Sequence, residues 1–468
     1  MKPAAAIAAA TGAALLALGA GAQAPAPGPA HDPATAPAPA SAPEAAEKRI
    51  VLDSAPAAPA SPSAPAAAAS APPAEEAARP ATTPLGEAIA AATLADLGLQ
   101  LLRQAPPGSA VAERNLALSP LSVAAALALV HAGSGGTTAA ELAALVDPAV
   151  ARGRFYNERL PALWRALTVP PGGPVTLASR LWARADLATA VPADYAGRMA
   201  QRFGATVGIF PGTAPEQARQ DINAWVSGQT RGAIPRLLPP GSVKGSTKLV
   251  LANAVHFKSP WEQPFEPQAT VPRPFATPDG VRAVPTMVSQ RVVRRAVLDR
   301  MEVLELPFAA GGHRLLVAMP QAPETLAAAE ARLGGAELAS WSERLRPVTC
   351  RLHLPRFSVA PRVASLKAPL QALGVRQAFS DRADLRPMLG SAAVGTQLDE
   401  VFHAASVDVD ERGGEAAAAT AVTIVAKSLQ MPAPDCAVDR PFLFAIVHGR
   451  TGAPLFVGRV TDPAATGR

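Results

Sequence analysis

The residues able to do acid–base or nucleophilic chemistry are spread through this chain rather than grouped. Seven histidines occur among 468 residues, with serines and aspartates, but no pattern that would activate a serine is present. Ala132-Gly133-Ser134-Gly135-Gly136 comes nearest to a nucleophile elbow and lacks its first glycine. No H-E-x-x-H, C-x-x-C or Walker loop occurs. His403, between Phe402 and Ala404, reads as a hydrogen-bonded core histidine rather than a general base. The chain is therefore read as not an enzyme, and as using no metal and no cofactor.

The informative stretch is residues 411–428, E-R-G-G-E-A-A-A-A-T-A-V-T-I-V-A-K-S. Its halves disagree about conformation. The alanines at 416–419 favour helix, whereas Val422, Thr423, Ile424 and Val425 are β-branched and favour a strand. At a period of two, one face carries Gly414, Ala416, Ala418, Thr420, Val422, Ile424 and Ala426. That face is uncharged and small at its leading end, as a strand entering a narrow gap requires. Gly413-Gly414 lets the backbone turn sharply at the base. From these residues alone, an Ala-rich surface helix with a glycine cap is an equal reading.

Two later stretches, D-R-P-F-L-F-A-I (439–446) and L-F-V-G-R-V (455–460), decide between the two. With the hinge they resemble the carboxy-terminal signature of the serpins, the serine-protease inhibitors. The resemblance is ordered along the chain. N-L-A-L-S-P-L-S (115–122) is similar to the family's early buried-helix motif, and L-V-L-A-N-A-V-H-F-K-S-P-W-E-Q-P-F (249–265) to its central motif. It implies an α+β fold of three β-sheets and about eight or nine helices, with an exposed reactive-centre loop above a five-stranded sheet.

By position, the resemblance puts Ser119, Ser122, Asn253 and His403 in the shutter, where strands part, with His403 the partner of Asn253. Trp261 falls near the top of the sheet, and Arg356 pairs with Glu411 at the entrance the loop must pass. The hinge is Glu411, Arg412, Gly413, Gly414, Glu415, Ala416, Ala417, Ala418 and Ala419, and the family's spacing places the scissile bond at Lys427-Ser428. Lysine there implies a trypsin-like serine protease as partner, held as a covalent acyl complex by a monomer. No nucleic acid or membrane span is implied. One departure matters: the family has Thr or Ser where this chain has Gly414, which costs about 0.5–1 kcal/mol against alanine on ordering and predicts slower insertion. The alternative function is a non-inhibitory serpin-fold binding or chaperone protein, whose usual mark is a spoiled hinge.

Composition frames this reading. About half the residues are hydrophobic, enough for a large core. Lys2, the apolar run of residues 4–18 and Ala20-Gly21-Ala22 predict a signal peptide over 1–22. Residues 23–83 are nearly all Ala, Pro, Ser and Glu and predict a disordered linker. Its only apolar interruption, Lys48-Arg49-Ile50-Val51-Leu52, has no assigned function. The serpin domain is expected over 84–466, and the protein is expected to be secreted or periplasmic, of a bacterial type with a Pro/Ala-rich tether.

Several local expectations can be checked in the fold. Cys350 and Cys436 are the only cysteines, which excludes a disulfide scaffold and leaves their pairing open. Ser119 is expected to cap a buried helix and Thr138 to form a capping box with Glu141. Arg291, Arg294, Arg295 and Arg300 form a basic cluster, read as a solvated face in preference to a polyanion site.

Overall fold

The computed structural model describes residues 85–104, 115–146, 155–168, 173–360, 364–413 and 433–465. Fifteen strands are described: β1 (Leu116–Leu118), β2 (Val175–Arg184), β3 (Thr206–Phe210), β4 (Leu249–Phe257), β5 (Val271–Thr277), β6 (Gly280–Leu298), β7 (Met301–Pro307), β8 (His313–Pro320), β9 (Arg346–Pro355), β10 (Phe357–Val359), β11 (Ala364–Ser365), β12 (Glu400–Val409), β13 (Asp435–Ala437), β14 (Phe442–His448) and β15 (Pro454–Val460).

The sheet that matters runs β10-β12-β4-β2-β3, with the two-residue β11 also paired to β12. Its central pair is parallel: β12 runs beside β4 from Glu400↔Val250 to Val407↔Phe257. The alternation of β4 explains its place. Leu251, Val255 and Phe257 join the main core on one face, while Val250, Ala252 and Ala254 lie under the Pro215–Gln229 helix on the other. A strand buried on both faces reads as a nearly unbroken apolar run. Ile222 and Val226 of that helix share one cluster with Ala252 and Ala254 of β4 and Phe402 and Ala404 of β12. The helix packs on β2 and β4, on the β2 side of the β12–β4 seam.

On the other face lies the Pro120–Ala132 helix, buried from Pro120 to Val130. Ser119 caps it, its hydroxyl accepting from the Ser122 amide, and Pro120 sits in the first turn. The expected capping box of Thr138 and Glu141 does not form. That helix begins at Gly136, so Thr138 lies inside it and its hydroxyl accepts from the Asp384 amide. Glu141 accepts from the amides of Arg376 and Gln377. Long-range contacts took both side chains.

Two hydrogen-bonded sheets are seen among the described residues where three were expected. The cause is β6, whose 19 residues pair with β5 over 280–286, with β9 over 286–295 and with β7 over 294–298. The second and third sheets thus run together as β1-β15-β14-β8-β7-β6-β9-β13. Eleven α-helices are described against eight or nine expected; three of them, Ala185–Ala188, Lys367–Ala372 and Arg386–Leu389, are short pieces of four to six residues.

Cys350 and Cys436 form a disulfide, with Cα atoms 5.9 Å apart. It ties β13, a three-residue strand at the edge of the second sheet, to β9. So short a parallel pairing has little stability of its own.

Candidate functional site: a seam and the base of a loop

Asn253 and His403 are direct partners across the parallel β12–β4 seam. Asn253 Oδ1 accepts from His403 Nδ1 at 2.6 Å and from the Ser122 hydroxyl at 2.6 Å. Its amide nitrogen donates to the Ser122 carbonyl at 3.1 Å. His403 Nε2 accepts from the Ser119 amide at 3.1 Å. The network thus joins both strands to the helix start beneath them, and all four residues are at most 1% exposed. These bonds fix the ring as the neutral Nδ1–H tautomer, because a proton on Nε2 would point at the Ser119 N–H. A strand entering the seam must break the His403–Asn253 bond.

Complete burial pushes the His403 pKa down to about 3 from 6.5. The unfolded chain takes up this proton below pH 6.5 while the folded ring stays neutral. Its contribution to stability is therefore full above pH 6.5 and is lost as pH falls toward 3. The loss at pH 5 is about 2 kcal/mol. Burial depresses His448, to about 4, and also His131, His256 and His313, so they add to the same trend. Denaturant midpoints measured from pH 7 to 5 should fall for the native chain. For His403→Gln the slope should be shallower by about one proton.

At the top of the seam, β12 leads into a backbone clamp. The Trp261 indole N–H donates to the Asp410 carbonyl at 2.8 Å, and the Trp261 amide to the Arg412 carbonyl at 3.0 Å. The Phe265 amide donates to the Glu411 carbonyl at 2.8 Å. Trp261 is buried and stacks on Phe308 with ring centroids 4.4 Å apart. Asp410 Oδ1 accepts from the amides of Arg412 and Gly413, closing an Asx turn. Glu411 accepts from the Thr270 hydroxyl at 2.7 Å and pairs with Arg356 at 3.5 Å. Arg356 is half exposed, so the pair contributes little to stability and acts by position.

Gly413 is required at this turn. Its φ is +74°, and a Cβ would lie 2.7 Å from the Trp261 nitrogen and 2.8 Å from the Ser259 carbonyl oxygen. The hinge from Gly414 and Glu415 through Ala416, Ala417, Ala418 and Ala419, and the Lys427-Ser428 bond, lie outside the described residues.

The family's sequence model, described as "Serpin (serine protease inhibitor)", matches residues 92–463. The chain belongs to the serpin family. It is 36% identical over 375 residues to putative serpin-Z12 of Oryza sativa subsp. japonica, covering 75% of this chain and 86% of that one. It is 33% identical over 367 residues to the leukocyte elastase inhibitor of Equus caballus, covering 75% and 93%. Among solved structures it superposes on native protease nexin-1 with heparin at a TM-score of 0.70 and 27% identity, covering 81% of this chain and all of that one. These relatives include plant and animal proteins, and they lend no support to the bacterial type expected from the leader and tether.

Elsewhere in this serpin, other candidates are accounted for. The Ser134 hydroxyl donates to the Val130 carbonyl at 2.5 Å and serves the helix end. In the basic cluster, Arg294 pairs with Glu305 at 2.6 Å, Arg295 with Glu302 at 2.8 Å and Arg300 with Glu324 at 3.7 Å. Arg291 lies over the Phe265 ring and donates to the carbonyls of Gln263 and Pro264, and burial lowers its pKa to about 10. Each arginine thus has a partner within the fold. Sequence reasoning missed Thr270, Phe265, Phe308 and Asp410 in the clamp. Only Asp410 carried a local signal, a short acid ahead of the glycine pair.

Proposed function

We propose that this serpin is inhibitory and traps a trypsin-like serine protease that attacks Lys427-Ser428. One observation carries the reading: the two central strands are parallel and directly paired, and the chain leaving β12 is clamped at the upper end of their seam. A segment that turns back at Gly413 and enters there runs antiparallel to both neighbours. One parallel ladder then becomes two antiparallel ones, the pairing that is slightly more stable per residue. Serpin loops are known to insert into the main sheet after cleavage. Sixteen residues at a strand rise of about 3.3 Å carry a linked protease on the order of 50 Å. Gly414, Ala416 and Ala418 on the leading face favour insertion over the non-inhibitory alternative.

Export is part of the same proposal. The predicted leader supports it, as does the Cys350–Cys436 disulfide, a bond that persists in oxidising compartments.

Mixing the protein with trypsin and separating the products on a denaturing gel tests the reading. A band resistant to denaturant, at the summed mass of the protease and the amino-terminal fragment, is the expected result. Clean clipping with no such band would leave a serpin fold that does not inhibit trypsin.

A further inference from the structure

On the face of the sheet that carries the Pro215–Gln229 helix, just past the end of that helix, lies a cavity of about 660 Å³. Thr176 of β2 and His256 of β4, partners in the ladder, contribute to its lining. Arg231, just beyond the helix, and Lys258, just beyond β4, line it as well. Every titratable group among its described lining residues is basic: Arg231, His256 and Lys258. His256 Nδ1 is buried and has no hydrogen-bond partner.

Arg231 is an unexpected choice for its place. The helix ends in a Schellman turn, with the Gly232 amide donating to the Ser227 carbonyl at 2.8 Å and the Arg231 amide to the Gly228 carbonyl at 3.4 Å. Arg231 occupies the left-handed position of that turn, at φ +52°, where glycine is favoured and an L-residue is strained. Backbone needs do not explain an arginine here; a side chain at the cavity does. Burial drives the His256 ring toward its neutral form; Asp408 opposes this, and the charges of Lys258 and Arg231 add to it.

We propose that this cavity binds a tetrahedral oxyanion, a phosphate or sulfate group, between Arg231, His256 and Lys258. Two cationic side chains with hydrogen-bond donors, and an imidazole lining the same cavity, suit the three or four oxygens of such a group. The bound ion joins the segment after the helix to β4. If insertion proceeds as proposed above, it stiffens one flank of the seam; binding itself does not depend on that reading.

Calorimetric titration of the intact protein with inorganic phosphate, and separately with O-phosphoserine, tests the site and distinguishes a free ion from an ester. Sodium chloride at matched ionic strength is the control. Saturable binding of at least one phosphate probe is expected, and none of chloride. Arg231→Gly is the informative variant, because glycine suits the turn and the protein should melt no lower than the native chain. Its phosphate affinity should fall about tenfold or more, the loss of one charge-assisted contact, and Lys258→Ala should weaken binding comparably. Undiminished binding by Arg231→Gly, or a response that chloride reproduces, would overturn the site. Because the titration needs no protease, failure to trap trypsin would leave the result standing.

Discussion

Lys427→Glu should reduce the rate of trypsin trapping by a thousandfold or more, while Lys427→Arg should leave it within about tenfold. The specificity pocket of a trypsin-like protease ends in a buried carboxylate. A lysine entering it is desolvated but paired, whereas a glutamate is desolvated and faces a like charge. Breaking such a pair costs on the order of 2–5 kcal/mol, and placing like charges together adds several more. At about 1.4 kcal/mol per decade, even the low end of the sum exceeds a thousandfold. Second-order inhibition rates for the three proteins decide the matter. Equal inhibition by the glutamate variant would move the bond to Ala426, Leu429 or Met431, and amino-terminal sequencing of the released fragment would show which.

Much of the architecture was legible because buried strands and capped helices carry local signals. The β-rich first nine residues of the central motif, 249–257, form β4. Ser119 with Pro120 marked the start of a helix that is buried along most of its length. What stayed hidden was pairing. Nothing near Asn253 says that a strand 150 residues later runs parallel to it, and the seam is defined by that relation. Family resemblance supplied the Asn253–His403 and Glu411–Arg356 pairs, which local pattern could not reach.

The misreadings share one physical cause. Thr138 and Glu141 have the spacing of a capping box, but amides from residues 376–384 compete for them and win. β6 runs for 19 residues through a stretch, 291–295, that carries three arginines. In the fold, Arg294 and Arg295 are matched by Glu305 and Glu302, so β6 continues and fuses two expected sheets. The acidic partners of the arginine cluster were likewise marked by no local pattern. The cysteine pair could not be resolved from a separation of 86 residues, because spacing alone does not tell whether two Cα atoms lie within bonding reach.

A single cut at residue 427 should raise the melting temperature of the protein by about 10 °C or more. In the intact chain the seam is closed by the His403–Asn253 bond and the buried serines beneath it, so opening it carries a barrier even if the product is lower in free energy. Cutting removes the tie between the hinge and β13, whose far end the Cys350–Cys436 bond fixes to the second sheet. The freed segment can then enter along its whole length. A strand of roughly sixteen residues, each closing ladder bonds worth about 0.5–1.5 kcal/mol net, supplies on the order of 10 kcal/mol. A domain spanning residues 92–463 has an unfolding entropy on the order of 0.8 kcal/mol per kelvin, which converts that gain into the stated shift. Scanning calorimetry of intact and nicked protein measures it directly. Equal melting points would mean that no strand enters, and the energy needed to distort a captured protease would have no source in this fold.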